Sequence, residues 1–256
     1  MGKVYVGTSG WVYSDWRGNF YPKDLPQRRW LEFYSQHFKT VEVNSTFYHQ
    51  MKPATFENWA KSVPDGFIFA VKASRFITHI KRLNVPKESI KTFFESISHL
   101  GRKLGPILFQ CPPRWGADEK RLEPFLDLSV SLARPRLARL AFEFRDSSWF
   151  DHSVYEVLKK YNAALVIAES GGHPTSPREL RGARWPSGEV ITADFTYIRF
   201  HGEGGSYATK YSNGELKIWA GKIKKWQKQG LDVYAYFNND VAGFAVENAR
   251  ELISMI

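Results

Sequence analysis

Three pairs of polar residues stand two positions apart in otherwise apolar runs: Glu42 with Asn44, Glu143 with Arg145, and Arg199 with His201. In an extended chain such spacing turns both members to one face. Three strands therefore offer carboxylate, amide, guanidinium and imidazole groups to a common side. Lys72 and Gln110 end two further apolar runs, Thr8 and Ser9 follow the first, Glu169 the sixth, and Asn238, Asn239 and Asp240 the last. Arginine binds phosphate or carboxylate through a planar fork and lysine as a point charge. Lys72, Arg145 and Arg199 are thus candidate anion ligands. Glu42, Glu143 and Glu169 are candidate acids and bases, because carboxylates in a cation-rich pocket can have their pKa values driven apart. His201 is a candidate proton shuttle near neutral pH. A self-satisfied ionic layer would use the same residues, but buried pairs stabilise poorly compared with apolar packing, which favours a functional role.

These residues need a scaffold, and the apolar runs supply it. Strands are expected at 3–7, 40–44, 67–72, 107–110, 140–144, 164–168, 197–201 and 233–237. Helical stripes lie between them: Ile90, Phe93, Phe94, Ile97 and Leu100; Val154, Val157, Leu158 and Tyr161; Leu216, Trp219, Ile223 and Trp226; and a closing helix over 244–256. Lys222, Lys224, Lys225 and Lys228 read as the solvated side of the third. Alternation of strand and helix implies parallel strands. Eight such units fit one α/β domain over 1–256, a TIM (β/α)8-type barrel, with a doubly wound open sheet as the competing arrangement. The stretch between the sixth and seventh strands, rich in Pro and Gly, is expected to be an irregular loop. Sites of the barrel fold lie at the C-terminal strand ends, where the polar residues collect.

Composition agrees. The chain has 256 residues, 36 Lys+Arg against 26 Asp+Glu, 43% hydrophobic residues and a single cysteine. This excludes a disordered chain or a disulfide scaffold. The one cysteine gives no reason for an oxidising compartment, so the expected location is the cytoplasm, and no run approaches the ~18 apolar residues of a membrane span. The net charge of +10 favours anionic partners, nucleic acid among them.

The segments VGTSGWVYSDWRGNFYP, TVEVNSTFYH, FAVKASRFITH, LFQCPPRW, FEFRDSSWF, YIRFHG and VYAYFNNDVAGFAVENA, in this order, resemble domain-of-unknown-function family 72 nearly from end to end. The resemblance implies a TIM barrel and assigns no activity. One departure is visible: Glu169 stands where the family usually has Asp. Cys111, in the Gln-x-Pro-Pro motif, reads as a small buried hydrophobe.

The favoured function is an enzyme doing acid–base chemistry on a small anionic substrate. Catalysis would fall to Glu42, Glu143, Glu169 and His201, and binding to Thr8, Ser9, Asn44, Lys72, Gln110, Arg145, Arg199, Tyr207, Asn238 and Asn239. No cofactor is implied. The first alternative adds a divalent metal on Glu42, Glu143, Glu169, His201 and Asp240 for phosphoester or nucleic-acid cleavage, without any HxH or HExxH spacing to support it. The second is a non-catalytic module in which Trp11, Tyr13, Trp16, Phe20 and Tyr21, beside Arg17 and Lys23, stack on single-stranded bases; a packed lid is the competing expectation for them. The glycine-rich VGTSG and HGEGG are not phosphate-loop fingerprints. HGEGGSYATKY reads as a loop over the mouth, bringing Tyr207 or Tyr211 to a ligand. Glu42 with Glu143, or Glu143 with Glu169, would be the carboxylate pair of a glycosidase.

Overall fold

The structure, a computed structural model, describes residues 1–133, 139–169, 190–202 and 207–256, with Glu169 described by its backbone alone. Strand follows helix along the chain: β1 (Val4–Thr8), α1 (Trp30–His37), β2 (Thr40–Val43), α2 (Ser45–Tyr48), α3 (Pro53–Lys61), β3 (Ile68–Lys72), α4 (Lys87–Ser98), β4 (Leu104–Gln110), α5 (Glu119–Leu132), β5 (Leu140–Glu143), α6 (His152–Lys160), β6 (Ala164–Leu165), β7 (Ile167–Glu169), β8 (Phe195–Phe200), α7 (Asn213–Lys228), β9 (Asp232–Phe237) and α8 (Phe244–Met255). Every ladder is parallel. The order is β1-β9-β8-β7 in one sheet and β2-β3-β4-β5-β6 in the other, a TIM-barrel-like α/β arrangement.

The expected sixth strand is divided. Ala164–Leu165 pairs with β5, and Ile167–Glu169 pairs with β8, so one run of chain hands over from sheet to sheet at Val166. The other seam lies between β1 and β2, where a single bridge joins Ser9 to Glu42. Gly7 permits this approach: a Cβ there would stand 2.3 Å from the Thr40 carbonyl oxygen. Tyr34 straps the seam from outside, accepting from the Thr8 amide at 2.9 Å and donating to the Thr40 carbonyl at 3.0 Å. The fourth strand begins earlier than its apolar pattern suggests. Gly105 and Pro106 lie in a register shift between Leu104, opposite Phe69, and Ile107, opposite Val71, and a bulge tolerates the missing N–H of proline.

Helix stripes pack as their spacing predicts. Ile90, Phe94 and Ile97 of α4, Val154 and Leu158 of α6, and Leu216, Trp219, Ile223 and Trp226 of α7 are buried against the sheets. Ser212 and Glu215 form a capping box that starts α7. Inside, small residues face aromatic ones: Ala70, Leu108, Ala141, Ala164 and Val166 meet Phe195, Tyr197, Tyr234 and Tyr236. That packing fills the interior below the strand ends and leaves the polar groups a floor. The irregular stretch expected between the sixth and seventh strands falls outside the described residues for most of its length.

Gly7→Ala is expected to lower stability by about 1–3 kcal/mol, the usual cost of overpacking a tight contact. A reduced urea midpoint with unchanged slope is the readout; an unchanged midpoint would mean that the seam does not need the glycine.

Candidate active site

The C-terminal strand ends converge on one guanidinium. Arg199, at the inward position of β8, is 1% exposed. Its Nε donates to Glu42 Oε2 at 2.9 Å and Nη2 to Glu42 Oε1 at 2.8 Å, while Nη1 donates to Glu143 Oε2 at 2.7 Å. Glu42 also accepts from the Tyr197 hydroxyl at 2.6 Å and from Ser9 Oγ in a close contact. Asn44 Nδ2 donates to the same Ser9 Oγ at 2.8 Å. Period two brings these groups together: Tyr197 and Arg199 share one face of β8, Glu42 and Asn44 one face of β2 and its end.

This network corrects two expected roles. Arg199 is consumed by two carboxylates and is not an open anion ligand. Both Glu42 oxygens are occupied, and despite burial the neighbouring Arg199 holds the carboxyl below its usual range, so Glu42 is an ionised anchor and not a proton donor.

Glu143 is the more available carboxylate. Oε2 faces Arg199, whereas Oε1 accepts no well-formed hydrogen bond and lies against Arg145 Nη2 in a close ion pair, with His201 Nε2 at 3.4 Å. Burial opposes its charge, but Arg145 and Arg199 prevail and keep it ionised well below the ordinary range. His201 is buried between Arg145 Nη2, 3.1 Å from Nε2, and the Asn238 amide, 3.2 Å from Nδ1. Burial pushes its pKa down to about 4. The ring is therefore neutral at pH 7, which corrects the expectation of a group titrating there; it can accept a proton but holds none to spare. Tyr207, 41% exposed, sets its ring edge-on to His201 at 5.5 Å.

Lys72 ends β3 inside the same mouth. Its Nζ sits 4.3 Å above the Phe47 ring and has no carboxylate within ion-pair reach among the described residues. Burial, reinforced by Arg199, lowers its pKa to about 8. Gln110 is half-buried at the end of β4, in register with Glu143.

Other expected residues are placed elsewhere. Thr8 turns outward, donating to the Gly10 carbonyl at 2.7 Å beside Tyr34, and so belongs to the seam. Asn239 is buried and donates to Thr209 O at 2.8 Å and Asn248 Oδ1 at 3.0 Å, fixing the loop after β8 to α8. Tyr211 is likewise buried, its hydroxyl accepting from Gly202 N at 3.0 Å. Glu169 ends β7, but its carboxylate lies outside the described atoms, as do residues 203–206 of the expected mouth loop. Cys111 is buried and burial raises its pKa, as a small hydrophobe's would be. Trp11, Trp16, Phe20 and Tyr21 are buried as the packed lid, with Tyr21 stacked on Trp30 at 4.5 Å, so they offer no stacking platform for bases.

Asp240 was legible only as a metal ligand. In the fold it is half-buried, its Oδ1 meets no donor, and burial raises its pKa to about 6. Among the described residues no three His, Cys, Asp or Glu side chains are grouped to hold a metal. A cavity of about 600 Å³ opens on the β1–β2 side, with Gly10, Tyr13, Asn44 and Met51 in its wall.

Arg199→Ala should destabilise the protein by about 3–5 kcal/mol, because it leaves two buried carboxylates uncompensated; equilibrium unfolding measures this, and a loss under 1 kcal/mol would refute the anchoring role. A second outcome concerns His201. From pH 6.5 down towards 4 the unfolded chain takes up a proton that the buried ring refuses, so stability falls with falling pH by up to about 1.4 kcal/mol per unit. Asp240, with its raised value, acts in the opposite direction over part of this window. The stability difference between wild type and His201→Asn isolates the imidazole. It should shift by about 2–3 kcal/mol between pH 7 and pH 4, and a constant difference would contradict the neutral-ring assignment.

Comparison with known proteins agrees with this architecture. The chain is 28% identical to the UPF0759 protein YunF of Bacillus subtilis, covering 99% of this chain and 94% of that one. It is 26% identical to the UPF0759 protein YecE of Escherichia coli K12, over 93% and 88% of the two chains. A DUF72 family protein of Thermotoga maritima superposes with a TM-score of 0.81 at 28% identity, covering 99% of this chain and 98% of that one. A D-psicose 3-epimerase superposes at 0.57 with 11% identity, over 98% and 97%, a likeness of fold alone. No helix among the described residues is long and apolar enough to cross a membrane. Residues 5–256 match the model of the "Protein of unknown function DUF72" family, and the chain belongs to it.

Proposed function

We propose that the protein is an enzyme performing acid–base chemistry on a small substrate that carries a phosphate or carboxylate, bound at the C-terminal mouth. The observation that carries this reading is where unpartnered polar atoms collect. Buried polar groups are normally satisfied, and each exception needs a reason. Asn44 Oδ1, Arg145 Nε and Asp240 Oδ1 lack hydrogen-bond partners at this one end, where Glu143 Oε1 has an ion pair to Arg145 but no well-formed hydrogen bond; among the described residues Asn239 Oδ1, Ser129 Oγ and Thr196 Oγ1 share that state elsewhere. A buried polar atom without a partner costs about 1–3 kcal/mol, and such a cost is more readily kept at a functional site than in a structural core.

Local charge supports anion binding. Arg199, Arg145 and Lys72 stand beside the carboxylates of Glu42, Glu143 and Asp240, with His201 neutral, and Arg199 is taken up by Glu42 and Glu143. Arg145 and Lys72 are the cations left for an anionic group. Arg145, whose side chain is partly exposed, presents its guanidinium to such a group, and Lys72 adds charge. Asp240, poised near pH 6, is suited to give and take a proton at neutral pH, while the neutral imidazole of His201, with its pKa lowered to about 4, is a hydrogen-bonding group. Glu143 keeps Arg145 and His201 in position.

Inorganic phosphate should therefore raise the melting temperature, and in a soaked crystal it should lie by Arg145 and Lys72. Arg145→Gln should weaken it about tenfold by calorimetry, about 1.4 kcal/mol. Turnover found in a screen of phosphorylated and carboxylated metabolites should vanish in Asp240→Asn while binding persists. Phosphate bound only on outer helices would overturn the assignment.

A further inference from the structure

Lys72 fits its surroundings poorly as a simple counter-charge. An ammonium is strongly hydrated, and burying one without a partner carries a large cost. Here the side chain is 9% exposed, and among the described residues its Nζ finds neither a carboxylate within ion-pair reach nor a hydrogen-bond acceptor. Its near neighbour is an aromatic face, Phe47 at 4.3 Å. The charges that act on it are mixed, Arg199 and Arg145 against Glu42 and Glu143, and the two carboxylates are already spent on the arginines. Thr46 donates its hydroxyl to the Lys72 carbonyl at 2.7 Å, which fixes the backbone from which the amine projects. A structural cation would be better served by the guanidinium already present. A buried amine beside other cations is instead how a lysine becomes a nucleophile.

The geometry points to Lys72 as a covalent anchor that forms an imine with an aldehyde or ketone carried by the anionic substrate, so that the substrate class is an oxo acid or a carbonyl-bearing phosphate. This deepens the proposed function and rests on its anion site, where Arg145 would hold the acidic group while Nζ meets the carbonyl carbon. The free amine adds to that carbon, forming the C–N bond as the carbonyl π pair moves to oxygen. The oxygen takes up a proton to give a carbinolamine, and its departure as water lets the nitrogen lone pair complete C=N. Ammonium plus carbonyl gives iminium plus water, with no net proton and no oxidant. The cationic nitrogen then draws electrons from the adjacent carbon, and Asp240 is the group suited to accept the proton released. With burial lowering its pKa to about 8, Lys72 holds about three hundredfold more free amine at pH 7 than an ordinary lysine.

The test is reductive trapping. Full-length protein is incubated at pH 7 with glyoxylate, and in parallel with pyridoxal 5′-phosphate, each with cyanoborohydride, and the modified lysines are mapped by peptide mass spectrometry. Lys72 is expected to be labelled at least tenfold faster than the mean of the surface lysines. Arg145→Gln should slow that labelling severalfold, and Lys72→Arg, which removes the primary amine, should abolish it. Labelling of Lys72 no faster than that of surface lysines overturns the imine; if phosphate still binds at the mouth, the anion site stands without it. Absence of phosphate binding in the wild type removes the anion site instead, and the peptide map then decides the nucleophile separately. Fast labelling of Lys72 that Arg145→Gln leaves unchanged would keep the nucleophile and remove Arg145 as its docking partner.

Discussion

One guanidinium organises the mouth of this protein. Arg199 binds Glu42 through Nε and Nη2 and Glu143 through Nη1, so β2, β5 and β8 are tied at a single buried point. A buried ion cluster of this kind is weak as a source of stability, because the desolvation of three charges absorbs most of what their attraction returns. What it does supply is position. With Arg199 in place, Glu42 holds Ser9 and Tyr197, and Glu143 turns its second oxygen towards Arg145 and His201.

The scaffold below makes that arrangement possible. Alanines and a leucine from one sheet pack against tyrosines and a phenylalanine from the other, filling the interior up to the level of the charged layer. The two seams lie where pairing is thinnest. At β1–β2 a glycine allows the strands to approach and Tyr34 bonds across them, which places Ser9 beside Glu42. At Val166 the chain changes sheets within one run, which lets β7 carry Glu169 beside Phe200. The site thus depends on local irregularities as much as on regular ladders.

Much of this was legible beforehand. Period-two pairs placed Glu42, Glu143, Arg199 and His201 on inward faces, and helix stripes such as Ile90, Phe94 and Ile97 declared their buried side. The apolar pattern of the fourth strand is shorter than the strand because Gly105 and Pro106 interrupt it, and a bulge in the ladder accommodates them. Thr8 stands at a strand end like the mouth residues, but the pleat turns it the other way, towards Tyr34. Tyr197 shares the inward face of β8 with Arg199, a relation that period two makes visible in the sequence.

The sequence by itself determined the α/β class, the parallel order of elements, the end at which polar groups gather and the residue types found there, because periodicity and strand-end position are local properties. Tertiary structure alone decided which of those groups are spent on one another and which remain open. Arg199 and Glu42 neutralise each other, His201 is kept neutral by burial, Asp240 is raised towards neutrality, and Lys72 lies against an aromatic ring with no carboxylate in ion-pair reach among the described residues. Pairing and desolvation arise from segments far apart in the chain, and a list of residues contains no distances between them.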